Sequence, residues 1–139
     1  MKAMKKQIGI WLDFKEAQVI TLHNGTVDTS TILSQIEHKK VKGGSHSPSP
    51  WGPVQVANEQ HLNEKRKHQE KSYYEAIINA IQKADEVLIF GPAEAKIGLK
   101  KALEARNDFM AQIKAVETAD SMTLNQKVAH VKEFFRFEE

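Results

Sequence analysis

The sequence predicts an α/β domain built on a mixed five-stranded sheet with helices on its faces, and three patterns carry that prediction. Alternating apolar residues and a Thr/Val/Ile-rich run open the chain, a nearly all-apolar run follows further on, and segments with helical periodicity alternate with the later strands. The 139 residues suit one core, at roughly 100–200 residues per domain. With 40% apolar residues, 27% charged residues and a net charge of +2, the chain lies outside the disordered class. It has no cysteine, so disulfides, Cys-ligated metals and a cysteine nucleophile are excluded.

Ile8, Ile10 and Leu12 alternate with Gly9 and Trp11, and residues 17–22 alternate again after the polar link at 13–16. These read as a strand, a turn and a strand. Asn24-Gly25 suits a tight hairpin because both residues tolerate positive φ, and the β-branched residues of 26–36 then give a third strand. Residues 37–57 carry no periodicity and hold three of the four prolines and three of the seven glycines. They read as a flexible loop far longer than the usual connection of about 4–6 residues, and such loops are functional or disordered.

Residues 58–84, free of Gly and Pro, predict one long helix in two unlike halves. The half over 58–72 is polar apart from Leu62, and Tyr73, Tyr74, Ile77, Ile78 and Ile81 form an apolar stripe in the other. Glu86-Val87-Leu88-Ile89-Phe90 suits a strand buried on both faces. A helix over 93–105, a strand over 112–117 and a helix over 123–135 complete the order, with Asp120 or Ser121 expected to cap the last and Leu124, Val128, Val131 and Phe135 on its apolar face. The order βββ-α-β-α-β-α places parallel strands with right-handed crossovers beside an antiparallel meander. That is the outline of a ribonuclease-H-like three-layer domain, with a ferredoxin-like or flavodoxin-like sandwich as the alternative.

The start, through Met1, Lys2, Lys5 and Lys6, is basic, but the apolar run that follows ends at Asp13. It is too short for a signal sequence or a membrane span, so a cytoplasmic location without membrane partners is expected. A metal-dependent nuclease needs several carboxylates converging on its ions. Asp13 ends the first strand, where one belongs, but Asp85 and Glu86 precede the central parallel strand and so fall at the opposite edge. Asp13 is better read as a turn residue bonding local N–H groups. His61 and His68 are seven residues apart, about 10.5 Å along a helix, too far to share an ion; His38 and His46 would add to such a site only if the loop folded back. No metal or other cofactor is expected. Gly91 and Lys96, at a strand-to-helix turn, are candidate phosphate-binding residues, with ordinary strand-to-helix punctuation as the plainer account.

Charge placement is more informative. Residues 38–72 hold Lys39, Lys40, Lys42, Lys65, Arg66, Lys67 and Lys71 against three glutamates, a net +4, while the other 104 residues carry 13 basic against 15 acidic groups. The same segment holds four of the six histidines and Trp51. A basic tip beside a polar helix suits a phosphate backbone with base stacking, and an ordinary solvated helix face is the alternative.

The element order, the Lys42-Gly43-Gly44-Ser45 loop before a long charged helix, and the strand end Val87-Leu88-Ile89-Phe90-Gly91-Pro92 resemble the middle domain of archaeal and eukaryotic class I peptide-chain release factors and of Pelota. The resemblance spans roughly residues 7–135 of a single domain. The whole looks like the short bacterial proteins described as release-factor-like or translational-machinery proteins. It implies a ribosome or structured-RNA partner reached through Lys39, Lys40, Lys42, Gly43, Gly44, Ser45, His46, Lys65, Arg66, Lys67 and Lys71. In release factors the loop reads Gly-Gly-Gln and serves ester hydrolysis. Gly43 and Gly44 match its glycines and Ser45 could offer its backbone N–H, but serine lacks the glutamine side chain, so the resemblance leans away from an enzyme. A domain for stop-codon reading has no room in 139 residues and is not expected. A hydrolase of an RNA ester or phosphodiester, whether nuclease or peptidyl-tRNA hydrolase, and a protein-interaction module are the alternatives.

Overall fold

The computed structural model describes residues 5–36, 52–92, 94–106, 109 and 111–136. Five strands, β1 (Gln7–Leu12), β2 (Glu16–His23), β3 (Thr26–Leu33), β4 (Glu86–Gly91) and β5 (Gln112–Thr118), form one sheet in the order β3-β2-β1-β4-β5. β2 runs antiparallel to β1 and β3, whereas β1, β4 and β5 are mutually parallel. The hairpin between β2 and β3 closes on Asn24 and Gly25, at φ of 53° and 77°, with His23 paired to Thr26. Those angles match the primed turn that Asn-Gly favours.

The two faces of the sheet bury different sets. Ile8, Ile10, Leu12, Val19, Val87 and Ile89 pack under α1 (Gly52–Ala80) and α2 (Ala95–Glu104), while Trp11, Ile20, Leu22, Leu88 and Phe90 pack under α3 (Leu124–Phe135). Helices on both faces make the domain the expected ribonuclease-H-like three-layer α/β fold. Alternation along β1 sends even residues to one face and odd ones to the other. Gly9 belongs to the α3 face, where a Cβ would lie 2.2 Å from a Val131 methyl; its absence lets α3 settle on the strand.

Several boundaries differ from those read in the sequence. α1 begins at Gly52 and not at residue 58, so the expected loop gives up its last six residues; Pro53 suits the first turn, where no N–H partner is needed. The helix also ends at Ala80, the Ile81 and Ala84 amides closing a turn beyond it. β3 stops at Leu33 because Gln35 takes a positive φ of 55°, and Ile36 turns into the core. α2 starts at Ala95, later than expected, behind Glu94. The cap of α3 is Thr123, not Asp120 or Ser121: its hydroxyl accepts from Gln126 N while the Gln126 side chain accepts from Thr123 N, a reciprocal capping box. Of the expected apolar face Val131 is buried and Val128 and Phe135 pack against the same core, whereas Leu124 is 42% exposed and Lys127 takes a place on the buried side. The Lys127 ammonium lies 3.6 Å from the Trp11 ring centroid and donates to Gln18 Oε1. Burial pulls its pKa down, against the pull of Glu16 and Asp13.

At the sheet edge where the parallel strands begin, Gln7 Nε2 donates to Glu86 Oε1 at 2.8 Å, and the Lys5 and Lys114 ammonium groups lie 3.7 and 3.6 Å from Oε2. The Gln7 hydrogen bond, aided by the two lysines and opposed by burial, holds the Glu86 carboxyl below its ordinary pKa. A depressed native pKa adds stability that is complete above the unfolded carboxylate range and is lost as pH falls through the native value. Urea midpoints should therefore separate wild type from Glu86→Gln at neutral pH and draw together below about pH 4. A gap unchanged between pH 7 and pH 3 would remove this role.

Candidate nucleic-acid interface

α1 presents two groove-lining faces above the sheet. Its residues 64–68 are exposed, and from Tyr73 onward the helix is anchored: Tyr73, Ile77, Ile78 and Ile81 are buried, and Tyr73 Oη donates to Asp13 O at 2.9 Å. Burial, followed by the Asp13, Tyr74 and Glu16 charges, drives the Tyr73 pKa far up, so its hydroxyl stays a donor. Asp13 itself makes an Asx turn, Oδ1 accepting from Lys15 N and Glu16 N at 2.8 and 2.9 Å. Among the described residues no three His, Asp or Glu side chains gather where they could hold a metal ion.

Lys67 and Lys71, four residues apart, fall on the α1 face that turns toward α2. There they meet Lys101 and Arg106, and the four cations border a groove of about 780 Å³ between the helices. Glu70 and Glu75 share the border, leaving a balance of two positive charges. The floor is Tyr74, Ile78, Gly98 and Ala102. Tyr74 is half-buried, and its ring stacks on Tyr73 at 5.8 Å between centroids. Burial, reinforced by Glu70 and offset by Arg66, pushes its phenol up to about 12, so the ring carries no charge at neutral pH.

The remaining candidates go elsewhere. Arg66 lies over the Phe14 ring, 5.7 Å from its centroid, at the β1–β2 turn. Lys65 is exposed. His68 lines a second, smaller groove of about 340 Å³ with Ser34, Gln35 and Ser72, beside Leu33, which is 69% exposed. Lys39, Lys40, Lys42, Gly43, Gly44, Ser45 and His46 lie outside the described residues, as do His38 and Trp51.

At the end of β4, Gly91 has φ of 147°, and a Cβ there would sit 2.3 Å from Leu12 O. Its glycine thus answers a close approach of two strand ends. Lys96 is buried at 6% exposure, and the Glu94 side chain makes no cap hydrogen bond at the start of α2. Burial of Lys96 keeps its ammonium from the surface, whereas the absent side-chain cap leaves the first amides of α2 open to an anion.

Lys101, Arg106, Gly98 and the groove itself were not marked by the sequence. The basic window at 38–72 stops 23 residues before the start of α2 at Ala95, and only packing on a common sheet face brings the two helices together. The one available signal is the Lys67/Lys71 spacing, which puts both on one helical face.

No protein-family model matches the chain, and no curated protein matches it. Among solved structures it is similar to the Pelota protein of Thermoplasma acidophilum, with a TM-score of 0.56 and 18% identity over 96% of this chain and 32% of that one. Archaeal translation termination factor aRF1 follows at 0.47 and 12%, covering 91% of this chain and 33% of that one. Pelota of Archaeoglobus fulgidus gives 0.46 and 14%, covering 94% and 32%. The chain spans about a third of the length of these proteins, and what it shares with the first is the fold.

Proposed function

We propose that the protein is a release-factor-like accessory of translation that binds the ribosome or a structured RNA through the exposed basic face of α1 and α2, in the cytoplasm. The observation that carries this is the convergence of Lys67, Lys71, Lys101 and Arg106 around one groove, cations from two helices on a chain whose overall charge is only +2. Phosphate backbones are bound by such clusters, since each contact releases condensed counterions. The Pelota-like fold and the Lys42-Gly43-Gly44-Ser45 sequence support the translational setting. Lys39, Lys40, Lys42 and His46 would extend the surface, and Gly43 and Gly44 would allow close backbone approach. Peptide release is not part of the proposal, because Ser45 lacks the glutamine amide. Among the described residues no helix is long and apolar enough to cross a membrane. Co-sedimentation with ribosomes at low salt, lost at high salt, is the expected behaviour; protein that stays in the supernatant at low salt would refute it.

A further inference from the structure

We propose that the groove between α1 and α2 seats one unpaired RNA base on the Tyr74 ring, with the flanking phosphates on Lys67, Lys71, Lys101 and Arg106; this rests on the RNA-binding reading above and specifies which form of RNA the site selects. The groove's volume, about 780 Å³, lies within the range of about 300–1,000 Å³ typical of small-molecule sites. It is open because α2 is small where it faces Tyr74. A Cβ on Gly98 would stand 2.2 Å from Tyr74 Oη, so glycine permits the ring to lie across the helix.

The ring is held from behind. Tyr73 stacks against it, and Tyr73 is itself buried and tied to Asp13 O. A half-buried aromatic face on an ordered helix is a ready stacking platform, and stacking needs little reorganisation when the ring is already placed. The border then selects the sign of the occupant: four cations against Glu70 and Glu75 favour an anion. An aromatic platform with cations around it matches a nucleotide better than an apolar peptide. A paired base cannot use it, because both its faces are covered by the duplex stack.

The test measures binding of the full chain, by fluorescence anisotropy at low salt, to a labelled single-stranded RNA and to the matching duplex. Wild type should prefer the single strand. Tyr74→Ala and Tyr74→Leu, the second retaining apolar bulk without an aromatic face, should each lose about 5-fold to 100-fold in single-strand affinity and less than about twofold for duplex. Tyr74→Phe should bind as wild type. If Tyr74→Leu binds the single strand as tightly as wild type while salt still weakens binding, the base pocket is wrong and the basic surface stands. If wild type binds neither RNA, or binds a polyglutamate peptide in their place, both are wrong.

Discussion

Changing Lys67, Lys71 and Lys101 together to Glu is expected to weaken RNA binding by at least about 500-fold at 50 mM salt. Each phosphate contact to a single strand adds about 0.7 to the slope of log affinity against log salt, which is roughly eightfold per contact at 50 mM when extrapolated to 1 M. Four bordering cations give a slope near −2.8, so wild type should lose about 50-fold between 50 and 200 mM salt. In the groove the triple variant retains only Arg106, which also engages another group of the chain, so the groove's share of the slope should fall to about −0.7 or less. Lys67, Lys71 and Lys101 are exposed, so the fold should survive the change. Lys83→Glu, an exposed reversal beyond the end of α1 and away from the groove, is the control and should change affinity by less than about threefold. Equal losses from Lys83→Glu and the triple variant would mean that net charge, not the groove, governs binding.

Replacing Gly91 by Ala should cost about 2–6 kcal/mol of stability. The φ of 147° is strained for any L side chain, at about 1–3 kcal/mol, and the new Cβ would press on Leu12 O at 2.3 Å, a backbone atom that moves only with β1. Overpacking of this kind adds about 1–3 kcal/mol. For a domain of this size the melting temperature should fall by about 10 °C or more. A phosphate-binding role for Gly91 would show the opposite pattern, with unchanged melting and reduced RNA affinity. Calorimetry and anisotropy on the one variant separate the two.

Much of the fold was legible because its elements are locally consistent. The alternation of Ile8, Ile10 and Leu12, the Asn24-Gly25 turn and the apolar run from Val87 to Phe90 each have one good solution. Boundaries were less so. Pro53 lies in a stretch that reads as loop although proline is at home in a first helical turn, and Asp120 and Ser121 compete as caps with Thr123, whose capping box Gln126 completes. Leu124 looked apolar enough to be buried and Lys127 did not, yet the aliphatic stem and ammonium of Lys127 settle on Trp11.

The candidate site divided in the same manner. The basic character of residues 65–71 is a local property and was visible, but the groove is not local. It depends on Gly98, some thirty residues beyond Lys67, having no Cβ to displace Tyr74, and on two helices lying side by side on one sheet face. In the sequence Tyr74 is simply one member of an apolar stripe. Its position at the edge of that stripe, between buried Tyr73 and exposed Glu75, is what leaves the ring half open.

The central claim, that the basic face of α1 and α2 binds translational RNA, is tested most directly by capture from a lysate with the intact chain at two salt concentrations, with and without nuclease. Ribosomal RNA and proteins should be recovered at low salt and released by high salt or by nuclease, and the Lys67/Lys71/Lys101 triple variant should recover neither. Capture that survives both high salt and nuclease, or that the triple variant retains in full, would contradict it.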